Sequence, residues 1–244
     1  MFGSWLRIDS GYLSRYQQPS APTGANTNIR VNVIAAGETA AWYSDVLAKI
    51  NAAKATYWPS TTLTITQNNN AAYSGSDLTT ANFDCVFIWT DGSYSNTALG
   101  TALNSFVSSG GGLVIGVFAV ASVSLPATFL YTNTPIVYPG NQTMSSTSLG
   151  TYTSSDPLMR GVTSFNPGSS RYGAGGLTTQ SGSTIVAQYN DSNLLVAKKT
   201  IGTARTVALN FFPPSSSARS DFWTASTNGG ELMCNAIVYA GKGV

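Results

Sequence analysis

The 244-residue sequence contains no histidine, so the side chain that most often moves protons near neutral pH is absent. A zinc or iron site is also unexpected, because the usual ligands are histidine and clustered cysteine and the chain has only Cys85 and Cys234. Both cysteines lie in apolar stretches, which predicts buried free thiols rather than a disulfide. No metal and no cofactor is expected.

Charged residues are also scarce, at 9% of the chain against roughly 25% in an ordinary soluble protein. Ser, Thr, Asn, Gln and Gly must therefore cover most of the surface. Such a surface has few long side chains whose lost freedom would oppose packing, which favours contact with other protein subunits. The twelve basic residues are scattered from Arg7 to Lys242, so the basic stripe of a nucleic-acid binder is missing.

No stretch approaches the roughly 18 apolar residues that span a bilayer, so no membrane span is expected. The first residues, Met1-Phe2-Gly3-Ser4-Trp5, lack the basic and apolar regions of a secretory signal. If the chain is complete, we expect it to be made in the cytosol without a signal peptide.

The sequence does contain alternating strand and helix patterns, which follow an N-terminal arm predicted over residues 1–28. Residues 29–244 are predicted to form one α/β domain. Strands are predicted over 29–36, 63–66, 83–90 and 113–120, and helices over 39–53, 96–109 and 230–240. Near-continuous apolar strands separated by helices are typical of an open, mostly parallel sheet with helices on both faces. Later strand patterns over 183–189, 193–199 and 206–212 predict an antiparallel C-terminal extension.

Three segments carry a family resemblance. The first comprises Phe83 to Ile88 and Leu103 to Gly116, where the triplet Gly110-Gly111-Gly112 separates a helix from a strand. The second is Asp156-Pro157-Leu158-Met159-Arg160-Gly161-Val162, and the third runs from Val186 to Ile237. Together, over residues 29–241, they resemble the class I glutamine-amidotransferase-like domains, including the trehalose-utilisation type. The resemblance implies a three-layer flavodoxin-like fold.

The resemblance also implies a cysteine nucleophile on the turn after the strand that begins at the glycine triplet, and a histidine base later in the chain. Here that strand continues as Val117-Phe118-Ala119-Val120-Ala121-Ser122, and neither Cys85 nor Cys234 matches the position. A cysteine nucleophile needs a base or a positive neighbour to form its thiolate. We therefore expect an inactivated scaffold, a pseudoenzyme without catalytic residues.

Polar residues follow two of the predicted parallel strands, at the edge where open α/β folds bind ligands. Asp91, with Ser93 and Tyr94, is a candidate ligand or partner contact, although Asp-Gly-Ser is also ordinary turn chemistry. Glu38 follows the first strand. Glu38 and Asp91 could act as acid and base, as paired carboxylates do in glycosidases, although acidic residues at helix starts are favoured in any case.

Aromatic residues in loop-like, apparently exposed contexts are further candidates, because such rings can stack on sugars or anchor a protein interface. Alternatively, they cover the Ser/Thr/Gly-rich segment 124–183. The residues concerned are Tyr94, Tyr131, Tyr138, Tyr152, Tyr172, Phe222 and Trp223.

Two functions follow from these observations. The favoured one is a non-catalytic structural or interaction protein on the inactivated scaffold. Its composition resembles that of virion components such as minor capsid proteins, which predicts a virion or other extracellular assembly. The alternative is a carbohydrate-binding or carbohydrate-processing domain that uses the loop aromatics with Asp91 and Glu38, and its partners would be glycans.

Overall fold

A computed structural model describes residues 27–119, 125–126, 128–137 and 144–242. In chain order, the elements within these residues are β1 (Thr27–Ala36), α1 (Ala40–Tyr57), β2 (Thr61–Asn68), β3 (Cys85–Thr90), α2 (Ala98–Ser108), β4 (Gly112–Gly116), β5 (Ile136–Val137), β6 (Leu149–Tyr152), β7 (Thr178–Thr179), β8 (Thr184–Tyr189), β9 (Leu194–Ile201), β10 (Ala204–Leu209) and α3 (Gly229–Lys242). Of the predicted arm, residues 1–26 lie outside the described part, and Thr27 and Asn28 belong to β1.

Eight strands form one sheet in the order β2-β1-β3-β4-β10-β9-β8-β6, and β5 pairs with β7 in a small antiparallel sheet. The first five strands of that order are parallel, and the remaining three continue antiparallel. The predicted α/β class, a mostly parallel sheet with an antiparallel C-terminal extension, is confirmed. One strand that the sequence assigns to the extension, β10, joins the two parts, because it pairs parallel with β4 and antiparallel with β9.

The strand order also determines where the helices lie. The chain moves from β1 to β2 in one direction and from β3 to β4 in the other, so right-handed crossovers place α1 and α2 on opposite faces. Helix α3 packs against α1, on the same face. The result is the three-layer arrangement of flavodoxin-like folds. Among the described residues, no helix combines the length and apolar character needed to cross a membrane.

The helix ends follow from local side-chain chemistry that the sequence displays. The Thr39 hydroxyl accepts a hydrogen bond from the Trp42 N–H at 3.3 Å and caps α1, as predicted. Asn96 Oδ1 accepts from the Ala98 N–H at 3.0 Å at the start of α2. Gly110 has φ of +95°, the left-handed conformation that ends a helix, so the first glycine of the triplet is the predicted helix stop.

The rest of the triplet serves close packing. A Cβ on Gly112 would lie 2.3 Å from the carbonyl oxygen of Ala240, so the last turns of α3 lie directly against β4. Cys85 in β3 and Cys234 in α3 are both buried and free, which confirms the prediction for the two thiols.

Asn210, just after β10, fixes part of the long polar segment to the sheet. Its side chain accepts from the Ala174 N–H at 2.7 Å and donates to the carbonyl oxygens of Ala174 at 2.9 Å and Leu194 at 2.7 Å. The Tyr189 hydroxyl donates to the Asn210 carbonyl oxygen at 2.7 Å. All of these groups are buried, so this network is expected to contribute strongly to stability.

Candidate functional site

The site lies at the topological switch point of the sheet. Strand β1 has β2 on one side and β3 on the other, and the chain leaves β1 and β3 toward opposite faces, which opens a crevice at their carboxyl ends. The two following loops touch: the Asp91 N–H donates to the Ala36 carbonyl oxygen at 3.2 Å, and a Cβ on Gly37 would lie 3.0 Å from the Gly92 nitrogen. The structure thus brings together the two loops that carry Glu38 and Asp91.

Glu38 is only 7% exposed, although it lies in a loop. The indole Nε1 of Trp89 donates to Glu38 Oε1 at 2.8 Å, and Glu38 Oε2 is buried with no hydrogen-bond partner. Burial raises the pKa of Glu38 from 4.5 to about 7, the hydrogen bond from Trp89 opposes the rise, and the nearby Asp91 carboxylate adds to it. Near neutral pH a large share of Glu38 is therefore a neutral acid that can donate as well as accept.

Asp91 and Ser93 are both exposed beside this buried acid, as the sequence suggests for ligand contacts. An ionised aspartate can only accept hydrogen bonds, whereas a protonated Glu38 can donate one. The pair therefore offers complementary hydrogen-bonding groups within one crevice, and the negative charge of Asp91 disfavours an anionic ligand there.

Tyr94 differs from the expectation, because it is buried rather than exposed. Its hydroxyl donates to the Trp89 carbonyl oxygen at 2.7 Å and accepts from the Ala36 N–H at 3.2 Å. The phenol joins the ends of β1 and β3 and supports the loops beneath the site. We assign it a structural role.

A polar cavity of about 280 Å³ adjoins the site at the start of α1 and the end of β2; its lining residues are Ala40, Tyr43, Ser44, Gln67 and Asn69. Tyr43 links this cavity to the switch point, since its ring stacks on Trp89 with centroids 5.6 Å apart.

The other predicted aromatic contacts lie apart from Glu38. Trp223 is buried and its indole N–H donates to the Pro213 carbonyl oxygen at 2.8 Å, so the expectation of an exposed ring is wrong. Tyr131 is half-buried, and its hydroxyl donates to the Ala119 carbonyl oxygen at 3.1 Å. Tyr138 lies outside the described residues. Trp223 and Tyr131 are thus both hydrogen-bonded to backbone carbonyl oxygens. This agrees with the alternative that such rings cover the segment 124–183.

Sequence reasoning named Tyr172 and Phe222 as candidates but missed the aromatic cluster to which they belong, next to the switch point. We define this cluster as Trp42, Phe118, Tyr172, Phe212 and Phe222. The Phe118 N–H donates to the Thr90 carbonyl oxygen at 3.1 Å, so the cluster adjoins the Asp91 loop. The Arg219 guanidinium lies 4.2 Å from the Phe222 ring centroid and donates to the Tyr172 hydroxyl at 3.0 Å. The only sequence signal for the cluster as a whole is the dense aromatic content of residues 211–223.

Phe118 is the second residue after β4, the strand that begins at the glycine triplet and that the sequence predicted to extend to residue 120. Val117 and Ala119 on either side of it are buried. Ser122 lies outside the described residues. Across the described part of the chain, no three Cys, Asp or Glu side chains are grouped as a metal ion would require.

Solved structures of other proteins share this flavodoxin-like α/β fold. A ThuA-like protein of Bacteroides uniformis superimposes with a TM-score of 0.54 at 12% identity, covering 91% of this chain and 96% of that one. No family model matches the chain, and no curated protein matches it at a significant level. At this identity the similarity shows the fold alone.

Two cytoplasmic proteins of Salmonella typhimurium are also similar. Their TM-scores are 0.58 and 0.54, each at 12% identity, covering 86% and 88% of this chain and 98% and 100% of theirs. These neighbours contradict the expectation of a virion or other extracellular assembly. The expectation rested on sparse charge, which describes a surface and does not specify a compartment.

Proposed function

We propose that this chain is a non-catalytic interaction protein that keeps an amidotransferase-like scaffold for binding. The observation that carries the proposal is Phe118. Where the resemblance implies a nucleophile turn, the chain places an apolar ring that packs against Tyr172, with centroids 5.4 Å apart, and against Phe212, with centroids 5.7 Å apart. A ring held in this way supplies no nucleophile.

The remaining thiols do not replace the missing one. Burial raises the pKa of Cys85 above its ordinary value and that of Cys234 to about 12, so neither forms a thiolate near neutral pH. The chain has no histidine to act as the base. Amide transfer through a covalent cysteine intermediate therefore has neither of its two groups in this chain.

The test is turnover by the purified chain. We expect no ammonia release from glutamine and no ester or glycoside hydrolysis above that of a heat-denatured sample between pH 5 and 8. Turnover that disappears in Glu38→Gln or Asp91→Asn, but persists in the matched control Glu231→Gln on α3, would refute the proposal and assign acid-base chemistry to the switch point.

A second candidate, carbohydrate binding, is favoured by one observation at the switch point: the unpartnered oxygen of buried Glu38 next to exposed Asp91. A sugar hydroxyl both donates and accepts, so it suits a neutral acid beside a carboxylate. The backbone of Phe118 in the aromatic cluster bonds to Thr90 beside the Asp91 loop, and we propose that its half-buried ring contacts the apolar face of such a ligand.

A glycan array tests this candidate. Binding should weaken at least tenfold in Glu38→Ala and in Asp91→Ala, as expected when one or two hydrogen bonds to the ligand are lost, and should stay unchanged in Glu231→Ala. It should also weaken as the pH rises through 7, because ionised Glu38 no longer donates. Binding to no glycan, or binding indifferent to both substitutions, would remove the candidate.

A further inference from the structure

Strand β2 forms one edge of the central sheet, and in the described part of the chain its only neighbour is β1. Its register with β1 is unbroken over eight residue pairs, from Thr27↔Thr61 to Ile34↔Asn68. From Thr62 to Gln67, the backbone makes no hydrogen bond to any described residue outside β1. Among the described residues, nothing pairs with this regular outer row of N–H and C=O groups.

Natural edge strands are usually protected by charge, proline, a bulge, short length or a covering segment. Strand β2, with the sequence Thr-Thr-Leu-Thr-Ile-Thr-Gln-Asn, is long for an edge strand and has no charge, proline or bulge. The opposite edge is protected: β6 has four residues, its register with β8 is irregular, and the Leu149 N–H donates to the Phe165 carbonyl oxygen at 2.7 Å. The contrast indicates that β2 is left open for a partner.

The side chains of β2 suit a second copy of the same strand. Thr62, Thr64 and Thr66 are exposed on one face, and Leu63 and Ile65 are half-buried on the other. A two-fold axis perpendicular to the sheet pairs β2 antiparallel with its copy and keeps each face with itself. Threonine side chains of the two copies then lie opposite each other on one face, and apolar side chains lie opposite each other on the other. Both kinds of cross-strand pair are favourable, and no like charges face each other.

The start of the helix beside this edge presents uncharged residues next to β2. Ala40 and Ser44 at the start of α1 line the same cavity as Gln67 at the end of β2. The solvent-exposed positions of α1 continue with small uncharged residues: Ala41, Ser44, Ala48, Ala52 and Ala55.

We infer that two copies of this chain associate through β2, forming an isologous dimer with one continuous sheet. The inference rests on the proposed interaction role and names its partner, a second copy of the chain.

The test measures mass and amide exchange over a wide range of protein concentration. Light scattering should give the dimer mass for the wild type and the monomer mass for Thr64→Lys, which places two ammonium groups near the two-fold axis. Ser105→Lys, at an exposed position of α2 on the opposite face, is the matched control and should remain dimeric. Within residues 62–67, the outward-facing amides, which alternate with those bonded to β1, should exchange slowly in the wild type and rapidly in Thr64→Lys.

Three results would overturn the inference: a monomeric wild type with fast exchange, a monomeric wild type whose 62–67 amides are protected by another part of its own chain, or a dimer that Thr64→Lys leaves intact. If circular dichroism shows that Thr64→Lys does not fold, Thr62→Lys takes its place. A monomer without turnover refutes the dimer and leaves the non-catalytic role standing, whereas turnover refutes that role whatever the mass.

Discussion

Trp89 and Glu38 form a hydrogen bond whose direction is fixed, because an indole N–H can only donate. Glu38 Oε1 therefore accepts in both protonation states, and the proton of the neutral acid belongs on Oε2, which is buried without a partner. A polar group in this situation costs stability unless something outside the described contacts satisfies it. The bond thus leaves the proton-bearing oxygen of Glu38 buried and without a partner among the described residues.

The first prediction concerns pH. The pKa of Glu38 is 4.5 in the unfolded reference and about 7 in the folded chain, so the native state binds more protons between these values and its stability falls as the pH rises through them. The fall is about 3 kcal/mol at most. In Glu38→Gln, which cannot titrate, the free energy of unfolding should lack this decline relative to the wild type.

Urea unfolding of both proteins at pH 5, 6, 7 and 8 measures the difference. Only the difference in how the two free energies of unfolding change with pH is diagnostic, because the buried N–H groups of the glutamine amide alter stability at every pH. Glu231→Gln should run parallel to the wild type. Parallel curves for Glu38→Gln and the wild type would show that Glu38 does not titrate in this window.

A second prediction separates the supporting residue from the ligand-facing one. Tyr94→Phe leaves the Ala36 N–H and the Trp89 carbonyl without their hydroxyl partner and should destabilise the fold by about 1–3 kcal/mol. Asp91→Ala changes an exposed side chain and should alter stability by about 0.5 kcal/mol or less. Chemical denaturation at pH 7 compares them, and the reverse order would mean that their roles are exchanged.

The main strands and helices and the strand-end positions of Glu38 and Asp91 could be predicted because each depends on local patterns: apolar runs, the cap at Thr39, the stop at Gly110. The strand predicted over 113–120 instead ends at Gly116, and the short strands β6 and β7 were not predicted. The burial of Tyr94 could not be predicted, because it depends on one backbone group of β1 and one of β3, which come together only in the folded sheet. The same holds for the contacts of Phe118 and Arg219 with Tyr172, which join residues far apart in the chain and leave no local signal.

A third prediction tests the close approach of α3 to the sheet. The Cβ of Gly112→Ala would lie 2.3 Å from the Ala240 carbonyl oxygen, so backbone must move, and we expect a loss of about 1–3 kcal/mol. Gly92→Ala is the control, because its Cβ meets nothing closer than 3.7 Å, an ordinary contact. Urea unfolding should show a larger loss of stability for Gly112→Ala than for Gly92→Ala. Equal effects would show that α3 adjusts without cost.

The last prediction concerns the Asn210 network. Asn210→Ala deletes both side-chain groups and leaves the N–H and carbonyl of Ala174 and the carbonyl of Leu194 buried without these partners. Each such group costs about 1–3 kcal/mol, so the total loss should exceed about 3 kcal/mol, and near-ultraviolet circular dichroism should change because Tyr189 bonds the same residue. Asn51→Ala on the exposed side of α1 is the matched control and should be neutral or slightly stabilising. A loss below about 1 kcal/mol for Asn210→Ala would mean that water replaces the amide and that this network does not hold the segment in place.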